Sequence, residues 1–401
     1  MSSDVTFIGD NAFLNCTLLV SLGDLSSVTA IEYFAFAGCS SLERLEHLDN
    51  LVSLGESVFG YGSHYTGCIS LKSIGDMPKL ESMGQKCFVS CTTLETVGDL
   101  SSLKEIPYEA FDGCTSLVSI GDLNNVESIA NEAFSNCSAL EHVDKLDKIT
   151  SIGQNAFKGC TALKSIGSLH NLETIGQGAF SGCSALEHVD DLYSLTRLEY
   201  DVFSHCVSLI SVDCSDKLTA IGSSAFFGCK ALVSIGDLSN VTSIESSVFR
   251  GCIALKSIGN MPKLESIGMQ CFMGCTALET VGDLSSLKEI PSETFDGCTS
   301  LVSIGDLSNV TIIGSYGFNQ CKKLTSIPNL GSLERVDQFA FSGCESLALL
   351  GNLRKLTSFG NSPFVNSPFH NCPNLVLEVL PDSAAEQYAK NYSMQYTYIT
   401  E

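Results

Sequence analysis

Cys160-Thr161-Ala162-Leu163-Lys164-Ser165-Ile166-Gly167-Ser168-Leu169-His170-Asn171-Leu172-Glu173-Thr174-Ile175-Gly176-Gln177-Gly178-Ala179-Phe180-Ser181-Gly182 runs straight into Cys183, where the same pattern begins again. Within this unit Cys160, Leu163, Ile166, Leu169, Leu172, Ile175, Ala179 and Phe180 are apolar. A spacing of three along Leu163–Ile175 fits neither a strand that alternates in and out nor a long amphipathic helix. It fits a coil with several short sides, each turning one apolar residue inward. Stacking such coils buries a continuous core that no single coil could make alone.

The cysteines mark the period. Cys16 and Cys39 are 23 residues apart, and from Cys68 to Cys344 every step is again 23. Two intervals depart: Cys39 to Cys68 is 29, and Cys344 to Cys372 is 28. The solenoid is therefore read as residues 1–372, a half unit and fifteen Cys-started units, with a C-terminal cap over 373–401. Every unit carries the Phe, for example Phe13, Phe36, Phe111, Phe203, Phe295 and Phe341. A 23-residue period lies in the range of leucine-rich repeats and below that of ankyrin, tetratricopeptide or propeller repeats. The expected fold is an α/β-type leucine-rich-repeat solenoid: a right-handed curved array about 70–80 Å long, with one parallel sheet of short strands, short turns elsewhere and a helical cap. A longer periodicity lies on top, since residues 69–126 match 253–310 at 47 of 58 positions. Even the off-ladder Cys87 and Cys271 correspond, so the block reads as a recent duplication.

At these residues the chain resembles a known family. The run Ile175-Gly176, then Ala179-Phe180-Ser181-Gly182-Cys183-Ser184-Ala185-Leu186, looks like the I-G-x-x-A-F-x-G-C-x-x-L signature of BspA-like leucine-rich repeats. The tail from Pro381 to Lys390 resembles the short helix that closes such arrays. The resemblance implies a surface or secreted protein of anaerobic bacteria or parasitic protozoa, adhering to host proteins or other cells, with no catalytic centre in the repeat. One departure is the strand ending: members carry I-x-I-P, where this chain mostly has Ile-Gly-Asp-Leu, as at Ile235–Leu238.

Composition bounds the partners. The 401 residues include 22 Lys plus Arg against 45 Asp plus Glu, a net charge of −23. Such a field repels phosphate backbones and anionic lipid, which disfavours nucleic acid and membrane surfaces. No apolar run approaches the roughly 18 residues that span a bilayer, so no membrane insertion is expected in this segment. Met1 is not followed by a basic stretch and an apolar run, so no targeting segment is read here, and signal and anchor would lie outside it. The chain opens at Val5-Thr6-Phe7-Ile8-Gly9, halfway through a coil, which reads as an excised fragment or as an end covered by another chain.

Several columns suggest chemistry and also admit a structural reading. The Cys ladder could be a disulfide framework or a metal array, but no C-x-x-C occurs, and parallel side chains one coil apart make poor disulfides. It reads as a buried corner of each coil, with no metal expected. Cys214 differs, standing where other units carry Asp or Asn, and is the one thiol expected to be reachable. The Asp76, Asp99, Asp122, Asp237, Asp283 and Asp306 column could hold cations; because Asn260, Asn329 and Asn352 replace it freely, it reads as a tight turn. Five Asn-x-Ser/Thr sequons, at Asn15, Asn136, Asn240, Asn309 and Asn391, read as chance in a Ser/Thr-rich chain.

The first candidate surface for a protein ligand is the outward face of the strands, with Lys72, Glu95, Val118, Glu141, Lys164, Glu187, Ile210 and Val233 beside a small hydroxylic column. His142 and His188 break that column in matching Glu-His-Val-Asp contexts, two coils or about 10 Å apart. The second is the insertion Gly60–Tyr65, where Tyr61, His64 and Tyr65 offer contact chemistry on a Gly-rich loop. A later insertion doubles Asn-Ser-Pro-Phe, at Asn361–Phe364 and Asn366–Phe369, and reads as lying in the same turn of the coil. No G-x-S-x-G, H-E-x-x-H or phosphate-binding Gly-Lys loop occurs, so neither enzyme nor cofactor is expected. The function expected is a non-catalytic protein-binding module, a cell-surface or secreted adhesin. The alternatives are an intracellular scaffold, or a fragment whose enzyme domain lies elsewhere. End-to-end contact through the open N-terminal coil is a further partner expectation.

Overall fold

A computed structural model describes residues 5–60, 67–360 and 367–399. The chain forms two compact units. The first runs from Met1 to Leu195 and adds Val202–Leu209; the second takes Thr196–Asp201 and Ile210–Glu401.

In the first unit each 23-residue repeat is one coil. In the coil that begins at Cys160, seven of the eight inward residues are buried, and only Ile166 is partly open. Phe rings stack coil upon coil from Phe13 to Phe203, with centroids 4.9–5.6 Å apart and planes within 12° of parallel. Burying one such ring stabilises by about 1.5–3 kcal/mol, and the offset stack adds directional attraction.

Two residues flanking most of these Phe, among the described residues, bend the backbone into the left-handed region. The position two after is usually Gly, as at Gly113 (φ 73°) and Gly159 (φ 74°). The position two before takes any side chain, as at Lys86, Glu109 and Glu132 (φ 50–59°). Between them the chain turns sharply enough to bring Phe inward and return to Cys.

The expected parallel sheet is present, and a second parallel ladder runs beside it. The first ladder holds strands such as Ser73–Ile74, Thr96–Val97 and Ser119–Ile120. The second holds Glu105–Ile106, Ser128–Ile129, Ser151–Ile152 and Thr174–Ile175. Most strands are two residues long. The pairing at Glu105–Ile106 does not continue back to Ser82–Met83. Elsewhere a glycine N–H after the strand donates to the previous coil, as from Gly84 to the Leu54 carbonyl at 2.8 Å. Pro107 stands in that place and has no N–H to give.

The Asp column makes turns, as its sequence suggests. Asp99 Oδ1 accepts the Ser101 N–H at 2.8 Å, and Asp122 Oδ1 accepts that of Asn124 at 2.9 Å. An asparagine next to several of the turns ties coil to coil: Asn125 Nδ2 donates to the Ser101 carbonyl at 2.8 Å, as Asn50 does to Ser26 and Asn171 to Asp147.

The second unit repeats the plan. Its Phe column runs from Phe226 to Phe369 at 5.2–5.9 Å. Asn240 and Asn309, two of the five sequon asparagines, spend their amides on the Asp216 and Ser285 carbonyls at 2.8 Å. Pro291 and Pro328 coincide with interruptions of the second and first ladders for the same reason as Pro107.

The helix Ala384–Asn391 closes this unit. Ser383 caps it by accepting the Glu386 N–H, and Tyr388 stacks on Phe359 at 3.9 Å. A strand not expected from the sequence, Gln395–Tyr398, follows the helix and pairs parallel with Val376–Val379.

Two expectations are corrected. Cys214 is buried, with 7 % exposure, and the same burial pushes its thiol up to about 12. The strand Ser211–Cys214 runs two residues past Ser234–Ile235, and alternation turns Cys214 into the place that Leu fills in other coils. The two insertions also fall on opposite sides of the Phe. The first follows Phe59, and Cys68 N–H still donates to the Phe59 carbonyl at 2.9 Å across it. The second precedes Phe369, which joins the ring column against Phe341.

Candidate binding face

The thiol ladder can be assigned first. None of the 19 cysteines is in a disulfide, and only Cys16 is exposed, with Cys372 partly so. The ladder thiols donate to the Phe carbonyl of the coil before: Cys114 Sγ to Phe88, Cys137 Sγ to Phe111 and Cys160 Sγ to Phe134, each at 3.1 Å. Burial raises the Cys114 and Cys137 thiols well above the ordinary range, which makes them poor nucleophiles. Among the described residues, no group of three or more His, Cys, Asp or Glu is placed to hold a metal ion.

What remains open to a partner is the outer face of the first ladder. His142 and His188 stand in the outward positions of strands His142–Val143 and His188–Leu192. The structure brings them to one hollow of about 450 Å³, with Lys164, Glu187, Asp190 and Asp191 on its walls. Gly167 also lines it. Lys164 Nζ lies 2.7 Å from Glu141 Oε2, and this holds the Glu141 carboxyl below its usual range. A second hollow of about 440 Å³ adjoins it, sharing His142 and lined by Val118, Asp122 and Lys145. There Lys145 Nζ, 2.7 Å from Asp122 Oδ2, lowers the Asp122 carboxyl.

His142 Nδ1 lies 2.8 Å from Ser165 Oγ. The pair is not an activated nucleophile. Glu141 is 3.9 Å from Nε2, outside hydrogen-bond reach, and is already held by Lys164. An activated serine needs its base oriented by a bonded third group, so the contact is read as that of two half-exposed polar side chains.

Tyr61, His64 and Tyr65 lie outside the described residues. The loop base is firm: a Cβ at Gly60 would meet the Val89 carbonyl, and one at Gly67 that of Ser90.

One feature escaped the sequence reading. A hollow of about 710 Å³ opens on the second ladder, lined by Met83, Gln85, Glu105, Tyr108, Asn131 and Ser151. Its signal was Pro107-Tyr108 where most coils carry a glycine and then a polar residue.

The family model described as the BspA type leucine rich repeat region matches in six copies, over residues 1–117, 62–164, 150–279 and 265–375. A leucine-rich repeat protein of Bacteroides ovatus has a similar structure, with 26 % identity and a TM-score of 0.74 over 89 % of this chain and 92 % of that one. A leucine rich cell surface protein of Faecalibacterium prausnitzii is 30 % identical, covering 75 % of this chain and 83 % of that one, with a TM-score of 0.46. A leucine-rich repeat protein of Eubacterium ventriosum is 21 % identical over the same shares, with a TM-score of 0.49. No curated protein matches the chain in sequence.

Proposed function

The chain belongs to the BspA-type leucine-rich repeat family, and on that premise we propose that it is a non-catalytic protein-binding module, an adhesin displayed at the cell surface or secreted. It holds a host or other cell-surface protein against the outer face of the first ladder. The observation that carries this reading is the pair of adjoining hollows around His142, Lys164 and His188. There the residues that depart from the repeat converge on one exposed surface, where repeat proteins place their contacts. The surface location rests on what the family resemblance implies. Tyr61, His64 and Tyr65 remain candidate contacts on the first insertion, and end-to-end association through the first coil is a further proposed contact.

A second reading is an intracellular scaffold that uses the same face. It draws on the thiol ladder, whose Sγ–H groups serve as donors and suit a reducing setting. Antibody labelling of intact source cells, with permeabilised cells as control, separates the two. Labelling without permeabilisation supports the adhesin, and signal only after permeabilisation refutes it. Deleting Gly60–Tyr65 tests the loop, which leaves the argument if binding of host matrix proteins is unchanged.

A further inference from the structure

Residues 69–126 lie in the first unit and their duplicate, 253–310, in the second. Both copies build the same three-strand stretch of first ladder. Ser73, Thr96 and Ser119 pair in the register in which Ser257, Thr280 and Ser303 pair. Even the bonds between coils agree: Glu95 N–H to the Lys72 carbonyl and Glu279 N–H to that of Lys256 are both 2.8 Å. Val118 to Glu95 and Val302 to Glu279 are both 2.9 Å.

The eleven differences between the copies are unevenly placed. Eight fall within residues 83–93 and 108–110, the stretches that enter and leave the Phe turn. Buried positions are among them, since Val89 and Ala110 become Met273 and Thr294. The outward residues of the three strands are all kept: Lys72, Glu95 and Val118 recur as Lys256, Glu279 and Val302, each with its Ser or Thr neighbour.

Beyond the block the balance reverses. Of the next 23 positions after each copy only five agree, at 129, 134, 137, 140 and 146 with their counterparts, and all ten residues are buried. The coils that follow thus share only their core, whereas the duplicated coils share an exposed face and let parts of the core change. Packing alone does not impose that distribution.

We propose that the chain is bivalent. The strands around Lys72–Asp122 and those around Lys256–Asp306 present one docking patch twice, each for the same cationic segment of a partner protein. Charge gives the class of partner. Each patch sets one lysine against the same three carboxylates, Glu95, Asp99 and Asp122 in the first and Glu279, Asp283 and Asp306 in the second, with a fourth, Asp76, in the first where the second has Asn260, on a chain of net charge −23. Val118 and Val302, 44 % and 41 % exposed, give an apolar side chain of that segment the same seat in both copies. Two such patches on one chain convert weak contacts into avidity wherever the partner is displayed in many copies. The inference rests on the protein-binding reading above.

The probe is a peptide selected from a displayed library of short random sequences on the intact chain, then synthesised and titrated by calorimetry. The expected peptide is basic with one apolar residue and binds at two equivalent sites. Val118→Glu and Val302→Glu, both on exposed side chains, should each leave one site with unchanged Kd, and the double variant none. On a surface coated densely with the peptide, either single variant should leave about a hundredfold faster than the parent. Thermal melts confirm that the variants are folded. One site per chain, or two sites surviving a single variant, overturns bivalency and leaves protein binding standing. Peptides indifferent to the double variant overturn the use of this face altogether, and acidic peptides overturn the assigned partner class.

Discussion

Replacing Cys137 separates two physical accounts of the cysteine ladder. Its side chain is fully buried, and its Sγ–H donates to the Phe111 carbonyl at 3.1 Å. That carbonyl also accepts the Cys114 N–H at 3.1 Å, so removing the thiol does not orphan it. Cys137→Ala therefore loses three modest terms. A methylene-sized group leaves the core, about 0.8 kcal/mol. An unfilled volume of about 25 Å³ at about 24 cal/mol per Å³ adds roughly 0.6 kcal/mol. The weak thiol hydrogen bond adds about 0.5 kcal/mol, at the lower end for a neutral pair. The sum is about 2 kcal/mol.

Cys137→Ser keeps a donor in place of the thiol, within reach of the same carbonyl, and a buried hydroxyl with a partner costs little. We expect a loss of about 0–1 kcal/mol. Denaturant unfolding under reductant, followed by tyrosine fluorescence, measures both, with the exposed Cys16→Ala as a control that moves stability by less than about 0.5 kcal/mol. The order alanine worse than serine is the test. If serine destabilises as much as alanine or more, the thiol serves as apolar filling, and the donor argument is wrong.

Alkylation of the native chain followed by mass spectrometry should modify Cys16 first and Cys372 more slowly, and leave Cys214 unmodified until unfolding; early labelling of Cys214 would refute its inward placement. Glu386 is held at about 2, below its ordinary 4.5, by Lys390 and by the Tyr398 hydroxyl. A depressed carboxyl contributes stability that is full above about 4.5 and is lost as pH falls toward about 2. Hydrogen exchange of residues 376–399, normalised to unstructured peptides, should therefore rise across that window, and Glu386→Gln should flatten the change. At Glu132 (φ 58°) a glycine should be tolerated within about 0.5 kcal/mol, as Gly178 is at the same place, whereas valine should cost about 1–2 kcal/mol; equal melting of the two would refute the strain.

How much of this was legible depended on whether a residue's role repeats. The core was legible because apolar residues at the Leu163, Leu169, Leu172 and Phe180 positions recur in almost every coil at fixed offsets, so each inward position is observed many times. The second ladder was not, because a two-residue strand such as Thr174–Ile175 has no room for the alternation that betrays a strand. Cys214 misled because counting by 23 assigns it the Asp position, while the longer strand around it follows a period of two. Phe369 and Phe364 were equivalent in the doubled Asn-Ser-Pro-Phe, and only ring stacking chooses between them. Of the candidate site, His142 and His188 stood out as exceptions to a hydroxylic column. That they share a hollow, with Lys164, Asp190 and Asp191 on its walls, is a matter of three-dimensional placement that their spacing alone does not give.

The division within each coil also explains why the first ladder can carry function. The Phe turn fixes its backbone and its ring: two left-handed residues, a ring between two rings and a thiol on a carbonyl recur together, while the side chains around them vary, as Lys86, Val89 and Ser90 do against Gln270, Met273 and Gly274. The outward strand positions carry no such load. Their contacts are exposed ion pairs between coils, such as Lys164 with Glu141, and pairs of this kind contribute about 0–1 kcal/mol. Exchanging Lys, Glu, Val or His there costs the fold almost nothing, so the pattern on that face is free to follow a ligand. For the same reason the retention of Lys72, Glu95 and Val118 as Lys256, Glu279 and Val302 cannot be charged to stability, because the surrounding core tolerated Ala110 becoming Thr294 at a fully buried position.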